Sequence, residues 1–115
     1  MQIVRHEPGK ILSGAGEYGN LVFVAGTVPD NLNAGVKEQT AEVWRKIDAL
    51  LAKAGTNKSK ILNATIWVPD IRDRDVMNEA WLAWMDPTNP PARACVQAAL
   101  ANPRILVEIA VVAAK

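Results

Sequence analysis

Ile105-Leu106-Val107-Glu108-Ile109-Ala110-Val111-Val112 is an apolar run of strand length interrupted by one glutamate. Shortly before it, Pro91-Ala92-Arg93-Ala94-Cys95-Val96 is a second such run, interrupted by one arginine. Aliphatic and β-branched residues at this density mark buried strands. An ion inside such a strand is costly unless it is paired and hydrogen-bonded. Arg93 and Glu108 therefore either satisfy each other as scaffold or face a sheltered site that receives a ligand.

Working outward, the remaining elements read as strand, strand, strand, helix, strand, helix ahead of these last two strands. Gln2 to His6 is a short first strand. Ile11 to Glu17 and Leu21 to Val28 form a hairpin about Tyr18-Gly19-Asn20, with glycine supplying the dihedrals of the turn. Pro29 to Gly35 is a loop. From Val36 the apolar residues Val43, Trp44, Ile47, Leu50, Leu51 and Ala54 recur at helical spacing, and Gly55 ends the helix as a left-handed cap. Leu62 to Val68 is a strand stopped by Pro69. A second helix, capped by Asp73, runs to Met85 and buries Val76, Ala80, Trp81 and Trp84. The loop Pro87 to Pro91 leads to the final two strands, which turn at Asn102-Pro103. The pattern is that of an α+β, two-layer sandwich, a mixed sheet with two helices on one face.

Side chains alternate faces along a strand, so each strand divides into two sets. Leu62, Ala64, Ile66 and Val68, with Ala92, Ala94 and Val96, and with Ile105, Val107, Ile109 and Val111, are uniformly apolar. That face is predicted to receive the helices. The other face mixes Asn63, Thr65 and Trp67 with Arg93, Cys95 and Gln97 and with Leu106, Glu108 and Val112. It is too apolar to lie in water as one patch, so other copies of the chain are predicted to cover it. On this reading Arg93, Cys95 and Glu108 share one side of the sheet, at or near a subunit interface.

Residues 1–115 read as one domain, of a size that buries roughly two thirds of its surface. Thirteen basic and twelve acidic residues leave a net charge of +1, which gives little drive towards nucleic acid or an anionic membrane. One cysteine and one histidine, Cys95 and His6, exclude an intrachain disulfide and a Cys/His zinc cage. The N-terminus, with Arg5, Glu7 and Lys10, lacks the apolar core of a signal peptide, and the C-terminal apolar run is too short to span a bilayer. A cytoplasmic location is expected.

With these residues in view, the chain resembles the YjgF/RidA family of reactive-intermediate imine deaminases. The likeness rests on Pro91-Ala92-Arg93-Ala94-Cys95-Val96 followed by Val107-Glu108-Ile109. It extends to Phe23-Val24-Ala25-Gly26-Thr27-Val28-Pro29, to Ala64-Thr65-Ile66-Trp67-Val68 and to Met77-Asn78-Glu79-Ala80-Trp81. The resemblance implies a chorismate-mutase-like fold and a homotrimer with clefts between subunits. It also implies hydrolysis of small 2-imino acids, such as 2-iminobutanoate and 2-iminopropanoate, to 2-oxo acids and ammonia, with no metal or organic cofactor. Carried onto this chain, Arg93 clamps the substrate carboxylate through a planar fork that lysine cannot copy. Glu108 activates the attacking water and returns a proton to the departing nitrogen. Gly26, Asn78 and the backbone around Cys95 line the same cleft. Many members also have a tyrosine in an early loop that closes over substrate. The matching position here falls at about Leu12, while Tyr18 sits in the hairpin turn, which implies a divergent subgroup and leaves Tyr18 without a catalytic role.

Other signals weigh less. Gly14-Ala15-Gly16-Glu17-Tyr18-Gly19 matches a dinucleotide fingerprint, but a strand follows it where the phosphate site needs a helix. Cys95 reads better as a small buried hydrophobe than as a nucleophile. Two further functions stay open: a carboxylate-binding or chaperone-like oligomer without turnover, and a ribonuclease or translation inhibitor, which the charge balance disfavours.

Overall fold

The hairpin forms about Gly19, whose positive φ of 60° suits a residue without Cβ. It joins β2 (Ser13–Tyr18) to β3 (Leu21–Thr27), and β1 (Val4–Pro8) adds antiparallel to β2. All 115 residues are described by this computed structural model. Helix α1 spans Val36–Lys53, and Gly55 follows it at a positive φ of 78°, in the left-handed geometry expected of a cap. Next come β4 (Ile61–Val68), α2 (Arg74–Trp84), β5 (Ala92–Gln97) and β6 (Glu108–Ala114).

The six strands form one sheet in the order β1-β2-β3-β6-β4-β5. The last two strands are not neighbours, because β4 lies between them. It pairs antiparallel with β6 and parallel with β5. The turn at Asn102-Pro103 therefore belongs to a crossover, within which Ile105 and Val107 are buried ahead of the strand proper, which begins at Glu108.

Both helices pack on the face that carries Val22, Val24, Ala64, Ile66, Val68, Ile109, Val111 and Ala113. Trp44 is wholly buried between them, stacked on Trp84 at 3.7 Å and edge-on to Trp81 at 4.9 Å. Three local expectations change. Leu62 is exposed because the β4–β6 register shifts between Ile61 and Asn63, so that Ile61 takes the inward place. Val76 is exposed, and Met77 is the residue of that turn that enters the core. Asp73 makes no cap bond. Asp70 does this work one short 3₁₀ turn earlier, accepting from the Arg72 amide at 3.0 Å.

A polar clasp closes the far edge of the sheet. Glu17, only 7% exposed, accepts a bond from Lys115 at 2.7 Å and pairs with His6. The bond from Lys115, and then that from His6, hold the Glu17 carboxyl below the ordinary carboxylate range despite its burial. A depressed folded-state value contributes stability above the unfolded value, and this is lost as pH falls through the folded one. Lys115→Met is therefore expected to lower stability at neutral pH. It should also flatten the loss below about pH 4.5, with the two proteins converging in acid. Urea unfolding at fixed protein concentration across that range checks this, and coincident curves would show that the clasp contributes nothing.

Candidate functional site

The structure separates what the alternation of apolar residues had placed together. In β5 the outward set is Ala92, Ala94 and Val96, all exposed, while Cys95 packs against the core. Arg93 aligns with Ala64, and Cys95 with Ile66, both on the face that receives the helices. Glu108 aligns with Trp67, on the opposite face. Arg93 and Glu108 thus lie on opposite sides of the sheet, two strands and three residues apart, or about 14 Å between backbones. The expectation that they share a side is overturned. Its physical cause is that β5 is an edge strand of small residues. Alanines tolerate water, so the uniformly apolar set there was the exposed one.

Around Arg93 a first group assembles. Its Nη1 donates to Asn78 Oδ1 at 2.7 Å, and its guanidinium lies 4.8 Å from the centre of the Trp81 ring. Asn78 and Trp81 are one turn apart on α2 and present one surface to the β5 edge. Asn78 is thus a side-chain neighbour of the guanidinium, and Trp81 is a second support that core spacing alone did not reveal. The other guanidinium N–H groups have no acceptor within the chain. Burial raises the Cys95 thiol pKa even though Arg93 and Arg74 pull it down, so this thiol stays protonated and inert.

Gly26 and Glu108 form the second group. A Cβ built on Gly26 would stand 2.2 Å from Glu108 Oε2, so no larger residue fits unless the carboxylate moves. Half-buried Glu108 has no salt bridge or hydrogen bond within the chain. The outer sheet face around it carries Phe23, Trp67, Val96 and Val112, with Phe23 48% and Val96 42% exposed. No intrachain ion pair consumes either charge, which removes the scaffold reading for a single protomer.

One positioning residue escaped the sequence reading. Gln39 is wholly buried, donates through Nε2 to the carbonyls of Ala34 and Arg104 at 3.2 and 3.0 Å, and accepts from the Leu106 amide at 2.8 Å. These bonds fix the chain just before Glu108. The signal was present, since Gln39 stands four residues before Val43 and eight before Ile47, on the buried stripe of α1. Leu12, where the family's early-loop tyrosine would fall, is 62% exposed at the β1–β2 turn.

The fold is a two-layer α+β domain of the chorismate-mutase-like class. The family model described as Endoribonuclease L-PSP matches residues 5–115. A RutC family protein of Haemophilus influenzae is 45% identical over 114 residues, covering 98% of each chain. The RutC family protein YoaB of Escherichia coli is 46% identical over 114 residues, covering 99% of each. The crystal structure of a YjgF-family protein of Neisseria meningitidis superposes with a TM-score of 0.97 at 40% identity, covering 100% of this chain and 96% of that one. This chain belongs to the YjgF/L-PSP family, also called Rid. None of its helices is long and apolar enough to cross a membrane.

Proposed function

We propose that the protein hydrolyses small 2-imino acids to 2-oxo acids and ammonia in clefts between subunits of a homotrimer. Each cleft takes Arg93 and Asn78 from one protomer and Gly26 and Glu108 from its neighbour. The observation that carries this reading is the pair of uncompensated, opposite charges on opposite faces of one sheet. Each is half of a site, and neither can meet the other inside a chain. The exposed apolar outer face supplies the reason for copies to associate.

In such a cleft the guanidinium, already oriented by Asn78 and the Trp81 ring, takes the substrate carboxylate in a two-bond fork. That fixes the adjacent C=N carbon. The neighbour's Glu108 accepts a proton from water as the water oxygen bonds to that carbon. As the C=N π pair becomes a lone pair on nitrogen, Glu108 returns that proton there, giving a tetrahedral species with hydroxyl and amine on one carbon. Glu108 then takes the hydroxyl proton and delivers it to the same nitrogen as the C–N bond breaks, so that ammonia leaves with the bonding pair and the C=O of the 2-oxo acid forms. General acid–base help of this kind is worth about 10²–10⁴ in rate. Gly26 leaves the space in which carboxylate, water and imine carbon meet. Leu12 in place of a tyrosine makes the early turn apolar, which bears on substrate preference.

An RNA-cleaving reading accompanies the family's description. Here the sole histidine is engaged with Glu17, and thirteen basic residues face twelve acidic ones. A carboxylate-binding role without turnover shares the clamp but not the chemistry. The experiment is to add the protein to an amino-acid oxidase or threonine dehydratase reaction containing semicarbazide. Faster 2-oxo-acid release with less semicarbazone trapping is expected. Thermal stabilisation by 2-oxo acids with no acceleration would instead identify a binding protein.

A further inference from the structure

A groove of about 610 Å³ lies between α1 and α2 on the helix layer and shares no lining residue with either half-site. Its lining includes three small apolar residues, Ala41 of α1 and Ala80 and Ala83 of α2. Its rim is basic. Lys37 and Arg45 from α1 and Lys58 from the following 3₁₀ turn line it, against Glu38 alone. Lys37 is engaged by Glu79 at 3.6 Å. Arg45 has no partner within the chain, and Lys58 reaches only the Trp84 carbonyl, with its ammonium 5.2 Å from the centre of the Trp84 ring.

Trp44 also lines the groove. Its indole Nε1–H is the one buried side-chain polar group in the chain that lacks a hydrogen-bond partner. The neighbouring Trp84 shows how such a group is normally satisfied, donating to Asp48 Oδ2 at 2.5 Å. A buried donor without an acceptor is costly, and native proteins rarely leave one. Water alone would satisfy the N–H, but it would supply no counter-charge to Arg45 and Lys58, neither of which has a carboxylate partner within the chain.

We infer that this groove binds a small organic carboxylate with a flat apolar body. The carboxylate sits between Arg45 and Lys58, the body lies on the three alanines, and an oxygen of the ligand accepts from Trp44 Nε1. The site is separate from the proposed reaction and stands or falls without it.

The test is nitrogen–proton NMR of the four tryptophan indole groups, with phenylacetate as probe and phenylacetamide as its uncharged counterpart. Trp44→Phe assigns the Trp44 signal. Phenylacetate is expected to shift that signal saturably, and phenylacetamide to leave it in place. The double variant Arg45→Gln, Lys58→Gln, altered only at the groove rim, should weaken binding at least about tenfold, as loss of charge-assisted bonds does. Arg93→Lys should leave it unchanged. No saturable shift at Trp44, or equal shifts with the amide, would overturn the site. A shift abolished by Arg93→Lys but kept by the double variant would place the carboxylate at Arg93 instead, and overturn it equally.

Discussion

Arg93→Lys is expected to remove the acceleration of 2-oxo-acid release while leaving the assembly intact, a loss of at least about 100-fold in kcat/KM. Lysine keeps the positive charge but loses the planar fork, the bond to Asn78 and the stacking on Trp81, so a bound carboxylate is no longer held in one orientation. A reacting carbon misplaced by an ångström already costs about that factor. The fold should not register the change. Arg93 is exposed on an edge strand, where substitutions usually alter stability by no more than about 0.5 kcal/mol. Steady-state kinetics at several imine concentrations, beside a sedimentation profile, separates the two effects. Wild-type rates from an intact Arg93→Lys trimer would reject the clamp.

The succession of strands and helices along the chain was legible in the sequence because the periods of their apolar residues differ and the breakers are strong. Pro69, Gly19 and Gly55 each stand at a boundary. Less legible was anything settled by neighbours in space. That β4 separates β5 from β6 cannot be read from their spacing along the chain. It follows from pairing, and pairing decided which side of β5 faces the helices. Apolar alternation names the buried set in the interior strands β4 and β6 better than in the edge strand β5. In Ile61–Val68 and Glu108–Ala114 it succeeded for Ile66, Ile109 and Val111, whereas Ala92 and Ala94 carried no such information. Gln39 shows the converse case, a polar residue buried because three backbone groups needed partners.

Mixing two inactive variants gives the sharpest consequence of the opposed faces. Glu108→Gln keeps the size of the side chain and removes the base, so it is expected to be as inert as Arg93→Lys. Suppose each site takes its arginine from one protomer and its glutamate from the next. Refolding the two variants together then rebuilds sites in which both are native. With equal amounts and random assortment, an arginine donor is native half the time and so is a glutamate donor, so about one quarter of the sites recover. Activity should therefore rise from near zero in either variant alone to about a quarter of the wild-type value in the mixture. It should follow the fraction of mixed trimers as the ratio is varied. A site built within one protomer predicts no recovery at any ratio, since every chain carries one lesion. Mixed trimers that form and stay inactive would thus exclude the joint cleft.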